Sequence, residues 1–152
     1  MRISAKVDYA VRALCEIAAH EAERPLRAEQ IATAQEIPLS FLENILVDLR
    51  RAGFVRSMRG QLGGYRMAKP AAEITIADVI RAVEGPLADV RGLRPDHLEL
   101  RGPAAALRDV WLATRVGLRR VLERVSIQDV VGGSIPDDVA LLLEDPDVLV
   151  PH

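Results

Sequence analysis

The feature that most narrows the fold is a change of period at Gly53. Upstream of it apolar residues recur at helical spacing. Downstream, Phe54-Val55-Arg56-Ser57 and Tyr65-Arg66-Met67 read as two short strands around Arg59-Gly60-Gln61-Leu62-Gly63-Gly64. Glycines at such a tip permit positive φ, so the segment is expected to form a tight hairpin.

Three helices are expected ahead of that hairpin. Residues 3–20 carry Ile3, Val7, Ala10, Val11, Leu14, Ile17 and Ala18 on one face, with Ser4 or a neighbour at the start. Pro25 breaks the chain, and a short helix follows over 27–35 with Ile31, Ala32 and Gln35 in register. Pro38 marks a turn. Ser40 and Glu43 then have capping-box spacing. They predict a third helix over 40–52 that buries Phe41, Leu42, Ile45, Leu46 and Leu49 and stops at Gly53.

Beyond the hairpin, Thr75 is expected to cap a helix from Ile76 to Glu84, closed by Gly85-Pro86. Residues 87–102 are irregular. A long helix is predicted from Pro103 to Val125, about six turns. Its stripe is Leu107, Val110, Trp111, Thr114, Leu118, Val121, Leu122 and Val125. Ser126-Ile127-Gln128-Asp129 reads as a further cap and short helix, completing a long-helix unit over 103–131. The tail, 132–152, is rich in proline and acid and is expected to be partly disordered. No internal repeat is evident.

Composition enters as a constraint on partners. The chain has 152 residues, 49% apolar but only 3% aromatic, which suits a mainly α single domain. No apolar run approaches a membrane span, and the start lacks the apolar core of a signal peptide, so a soluble cytoplasmic protein is expected. The net charge of −2 conceals an asymmetry. Leu49 to Ala72 carries Arg50, Arg51, Arg56, Arg59, Arg66 and Lys69 with no acid, whereas the last two dozen residues carry six acids and no Lys or Arg. A polyanion feels the local field, not the average.

Three helices followed by a glycine-tipped hairpin describe a winged helix-turn-helix. A helix fits the major groove, and a basic hairpin can straddle the backbone and enter the minor groove. Winged helices also serve as protein-interaction modules that never meet DNA. The acid-free basic stretch, falling on the third helix and the wing, favours double-stranded DNA. Arg59 at a glycine-flanked tip suits a narrow, negative groove, while Arg50 and Arg51 suit phosphates. Tyr65 reads as wing packing more than as a contact.

Three segments resemble the Rrf2 family of bacterial transcription regulators. They are Met1-Arg2-Ile3-Ser4 with Tyr9-Ala10-Val11-Arg12-Ala13-Leu14, the run Ile37 to Gly53, and the wing Val55 to Ala68 followed by Ile74 to Gly85. The resemblance covers residues 1–86 as a DNA-binding domain and extends through the long helix with Trp111 to about 130. It implies a homodimer whose long helices pair across a two-fold axis. It also implies that Ser40, Glu43 and Asn44 meet base edges, and that Arg59 and Gly60 sit at the wing tip in the minor groove; Gly63, Gly64 and Tyr65 of the wing are counted with them as DNA-binding residues.

The family's best-known members hold an iron–sulfur cluster on three cysteines between the fourth helix and the long helix. Residues 86–103 contain none here, and the chain has one cysteine, Cys15, on the first helix. Thiolate ligation needs several cysteines converging, so no metal and no cofactor is expected. Asp8 matches a carboxylate ligand of the nitric-oxide-sensing branch, but without the cysteines it reads as a surface helix residue. Cys15 is expected to be an inert core thiol. Trp111 is either dimer or core packing or the wall of a pocket for an unknown effector. Nucleophile elbows, phosphate loops and paired His ligands are absent, so the chain is not expected to be an enzyme.

Overall fold

The computed structural model describes residues 3–22 and 24–150. Met1 and Arg2, which open the resemblance, and Pro151 and His152, which close the tail, lie outside them. The first element, α1 (Ala5–Ala19), is central. Ser4 caps it, its hydroxyl accepting the Val7 amide at 3.2 Å. Val7, Ala10, Ala13, Leu14 and Ile17 face inward. Two of these are alanines with no exposed surface, so other helices can approach closely. Around α1 pack α2 (Ala28–Gln35), α3 (Leu39–Arg51), α4 (Ile76–Val83) and α6 (Ile127–Gly132).

The turn between α2 and α3 is set by Glu36, which adopts left-handed φ of 51° and donates its N–H to Ala32 and Thr33 carbonyls. Ile37 is buried beneath that turn, and Pro38 starts α3. Here the expected Ser40–Glu43 capping box is not formed. Pro38 supplies the N-terminal boundary, its carbonyl accepting the Phe41 and Leu42 amides, and Ser40 lies inside the first turn. Phe41, expected in the core, is 60% exposed. The seam Leu42, Ile45, Leu46, Leu49 has i, i+3, i+4, i+7 spacing, and Phe41 falls roughly a quarter-turn outside it. Gly53, at φ 75°, ends the helix as expected.

The hairpin pairs β1 (Val55–Met58) with β2 (Gly64–Met67), antiparallel, with Val55 opposite Met67 and Met58 opposite Gly64. Leu26 adds a third partner, exchanging hydrogen bonds with Tyr65 at 3.0 and 2.7 Å. The wing is thereby stitched to the segment preceding α2. Lys6 ties α1 to two further helices, pairing with Asp48 at 2.8 Å and donating to the Val83 carbonyl at 2.9 Å.

The second half differs. Short 3₁₀ turns at Pro95–His97 and Gly102–Ala104 precede α5 (Leu107–Leu122). The long helix is therefore 16 residues, between four and five turns, instead of the six expected from Pro103. Gly102-Pro103-Ala104 closes a tighter turn that interrupts the Ala-rich approach. No residue of α5 is buried. Val125, counted with the stripe, lies past its end and is buried against the core, its carbonyl accepting the Ile76 amide at 2.9 Å. Ile127 continues inward and donates to the Ile74 carbonyl. The tail, expected partly disordered, carries a short helix, α7 (Asp137–Ala140), and a 3₁₀ turn at Leu141–Glu144, neither with a buried residue.

Candidate nucleic-acid interface

The outward face of α3 follows from its inward one. With Leu42, Ile45, Leu46 and Leu49 buried, Ser40, Glu43 and Asn44 stand exposed on the opposite side. The Asn44 amide donates to the Ser40 carbonyl at 3.0 Å, which lays the side chain along the helix surface. Arg50 and Arg51 are exposed at the C-terminal end. There Arg51 lies 3.8 Å from Asp48, an acid already engaged by Lys6. The cationic end of α3 thus keeps most of its charge for a partner.

At the wing tip Arg59 and Gly60 are exposed, Gly60 at φ 106°. Behind them two glycines are sterically required. A Cβ on Gly63 would stand 2.3 Å from the Met58 carbonyl oxygen, and one on Gly64 would stand 2.5 Å from that of Leu26. These are backbone atoms, so neither clash can be relieved by turning a side chain. Tyr65 is half-buried and packs against the core, holding the wing instead of reaching outward. Gly63, Gly64 and Tyr65 therefore shape the tip that Arg59 occupies.

Two cations escape a reading confined to the hairpin. Arg27 donates to the Gln61 carbonyl at 2.5 Å, fastening the wing tip to the start of α2, and Arg24 lines the same cleft. They lie more than thirty residues from the wing tip in sequence. The available signal was the pair of arginines around Pro25-Leu26, just before a helix. Phe41 was also missed, and the wheel of α3 would have exposed it.

The loop between α4 and α5 offers Asp89, Asp96, His97 and Glu99. Asp96 is engaged by Arg94 at 3.1 Å and lies 3.6 Å from His97. That pairing holds its carboxyl below the ordinary range despite the opposing effect of desolvation. Among the described residues no three His, Cys, Asp or Glu side chains converge as metal ligands. Cys15 sits on α1, partly buried against the core. An iron–sulfur cluster does not fit this set of donors.

Comparison with known proteins settles the family. Residues 3–133 match the family described as Rrf2, iron-dependent transcriptional regulator. The chain belongs to the Rrf2 family. A Mycobacterium tuberculosis protein described as an HTH-type transcriptional regulator, Rv1287, is 47% identical over 95% of this chain and 90% of its own length. The HTH-type transcriptional regulator CymR of Bacillus subtilis is 32% identical over 85% of this chain and 88% of its own. The solved structure of that CymR, the global cysteine regulator, superposes with a TM-score of 0.75 at 31% identity, covering 88% of this chain and 98% of that one. A T. potens IscR structure gives 0.70 at 26% identity over all of this chain and 93% of that one. As an Rrf2 protein the chain is a winged-helix, DNA-binding transcriptional regulator and not an enzyme. Among the described residues no helix is long and apolar enough to cross a membrane.

Proposed function

We propose that this Rrf2 protein acts in the cytoplasm as a homodimeric repressor that binds a dyad-symmetric operator without an iron–sulfur cluster. The observation that carries the DNA geometry is a set of exposed polar and cationic residues on α3 and at the wing tip. It runs from Ser40, Glu43 and Asn44 through Arg50 and Arg51 to Arg59, with Arg24 and Arg27 beside the wing tip. In this reading α3 lies in the major groove. Asn44 suits adenine, Glu43 accepts from cytosine, and Phe41 meets a thymine methyl. Arg50 and Arg51 hold phosphates, and Arg59 with Gly60 enters the minor groove.

Dimerisation is supported by α5, none of whose stripe is fully buried within one protomer: Leu107, Val110 and Thr114 are exposed, and Trp111, Leu118, Val121 and Leu122 are half-buried. A two-fold pairing of that stripe presents two recognition helices to one face of the duplex. The action proposed is repression by occupancy of that operator. The protein-interaction reading is the weaker one, because the exposed face is dominated by polar and cationic side chains.

The test is selection of bound sequences from genomic fragments, followed by anisotropy titrations of the recovered site. Arg59→Ala is expected to weaken binding and relax A·T preference at the wing position. Arg50→Ala should weaken all sequences about equally and flatten the salt dependence by roughly one unit of log–log slope. Unchanged affinity and selectivity in Arg59→Ala would overturn the wing placement.

A further inference from the structure

A cavity of about 580 Å³ opens where α1, α4, the 85–91 loop and α5 meet. Val7, Ile80, Leu87, Val90, Trp111 and Leu118 give it apolar walls. Its volume lies within the roughly 300–1,000 Å³ that small-molecule sites occupy.

One wall is held in an unusual backbone conformation. Ala88 and Arg91 adopt φ of 51° and 56°, values that non-glycine residues rarely take. The loop is fixed by the Gly92 amide donating to Asp89 at 2.8 Å, and by paired bonds between Val90 and Leu93 at 2.9 and 3.0 Å. Such conformations persist only where the surroundings over-determine them, and they cluster at ligand clamps. The wall is therefore built before any ligand arrives.

The polar groups choose among ligands. Thr114 turns its hydroxyl back to the Val110 carbonyl at 2.9 Å, so it offers little to an occupant. Glu84 accepts the Ser4 hydroxyl and remains exposed at the cavity, while Asp89 is engaged by its own loop and Arg91 is exposed. Two carboxylates stand against one guanidinium, with the Trp111 indole among the walls. Carboxylates and an indole favour a cation over an anion. We propose that this cavity binds a small organic amine with an apolar body, and that its occupancy alters operator affinity.

The regulatory half rests on the dimeric reading above. The walls come from two units: α1 and α4 belong to the winged core, and α5 carries the stripe assigned to the second copy. Arg81 of α4 and Arg119 of α5 both grip Glu123, so the two units are already linked near the same end. A ligand touching both shifts their equilibrium by as much as it prefers one arrangement.

Trp111 is the chain's single tryptophan, so its emission reports the site directly. The probes are phenethylamine, phenethyl alcohol and phenylacetate, matched in body and different in charge. Phenethylamine is expected to change Trp111 emission saturably in the millimolar range or below. Phenylacetate should bind several-fold more weakly. Ile80→Phe, which fills the cavity from the α4 side and leaves the α5 stripe intact, should abolish the response, with circular dichroism confirming its fold. Glu84→Gln should reduce the preference for the amine over the alcohol without removing binding. In the wild type the amine should shift affinity for the selected operator, and in Ile80→Phe it should not.

Absence of a saturable response, or equal responses to all three probes, overturns the site. Emission that changes only on protein dilution means a second copy fills the cavity, and also overturns it. Amine binding that leaves operator affinity unchanged overturns the regulatory half. Amine binding by a protein that binds no DNA sustains the site and sinks only the operator reading.

Discussion

The two halves of the molecule bury their apolar residues differently. From Val7 to Leu98 the chain buries most of its leucines, isoleucines and valines, and α3 alone contributes Leu42, Ile45, Leu46 and Leu49 with essentially no exposed surface. From Leu107 onward, α5 is amphipathic yet has no fully buried residue, and Val110 is 52% exposed. Val125 and Ile127 return to the core, carried back by the hydrogen bonds between residues 74–76 and 125–127, and Val131 packs against it. The lesson concerns what each apolar pattern is for. The first half solves its own burial, and the second leaves apolar residues of α5 exposed, the kind of surface that exposed apolar patches offer to a partner.

The largest effect that would sharpen this contrast lies in the winged core. Leu46 has no exposed surface, so Leu46→Ala should leave a cavity costing about 2–5 kcal/mol in urea unfolding. An equally large loss from Val110→Ala at low protein concentration would break the contrast, because Val110 meets little within a protomer.

The next effect is on assembly. If α5 faces a second copy, Val110→Asp places a carboxylate in an apolar interface, a cost of several kcal/mol by order of magnitude. Sedimentation should then show a monomer that still unfolds cooperatively, with dyad binding reduced to weak half-site binding. Wild-type protein sedimenting as a monomer at micromolar concentration would remove the second-copy explanation of the stripe.

Much of this was legible in sequence because backbone punctuation and period agree. Gly53, Gly60, Gly63 and Gly64 fixed where helix gives way to hairpin, and the structure gives two of them steric reasons. Boundaries slipped where two start signals competed. Pro38 precedes Ser40, and a residue with φ already near the helical value starts α3 ahead of the better-known cap. At α5, Pro103 looked like a first-turn proline, but it sits in a 3₁₀ turn four residues before the helix. Arg24 and Arg27 were invisible as wing neighbours because long-range strand pairing through Leu26 brings them there. No local pattern encodes that.

One pairing across the two halves also escaped notice. Ile74-Thr75-Ile76-Ala77-Asp78-Val79 and Val125-Ser126-Ile127-Gln128-Asp129-Val130 share apolar–hydroxyl–Ile–x–Asp–Val, and they meet as an antiparallel bridge. Each forms a reciprocal capping box. The Ser126 hydroxyl donates to Asp129 at 2.7 Å and accepts the Asp129 amide at 3.1 Å. Ser126→Ala should cost about 1 kcal/mol. The Ser126 hydroxyl first, and its backbone N–H donating at 2.8 Å second, hold the Asp129 carboxyl below its ordinary 3.8. Its folded value is thus lower than its unfolded one, so the stabilisation is present above about pH 4 and fades as pH falls through the folded value. Urea midpoints from neutral pH down to acid should show a shallower acid loss in Ser126→Ala. Parallel curves would mean that this box does not anchor α6.

The smallest expected effect tests whether the winged half is as closed as its burial suggests. Burial first, and neighbouring Glu16 second, push the Cys15 thiol from its ordinary 9.0 up to about 11. The folded state therefore favours the neutral thiol, a contribution complete at neutral pH and lost as pH rises past the unfolded value. Since the thiolate is the nucleophile, native Cys15 should be alkylated by iodoacetamide far more slowly than in denaturant. Mass spectrometry over time measures both rates. Because the thiol faces the core of α1 and not the α3 surface, reductant should leave operator affinity unchanged. Native labelling as fast as unfolded labelling would show that α1 opens readily, and the contrast between a sealed first half and an open second half would fail at its centre.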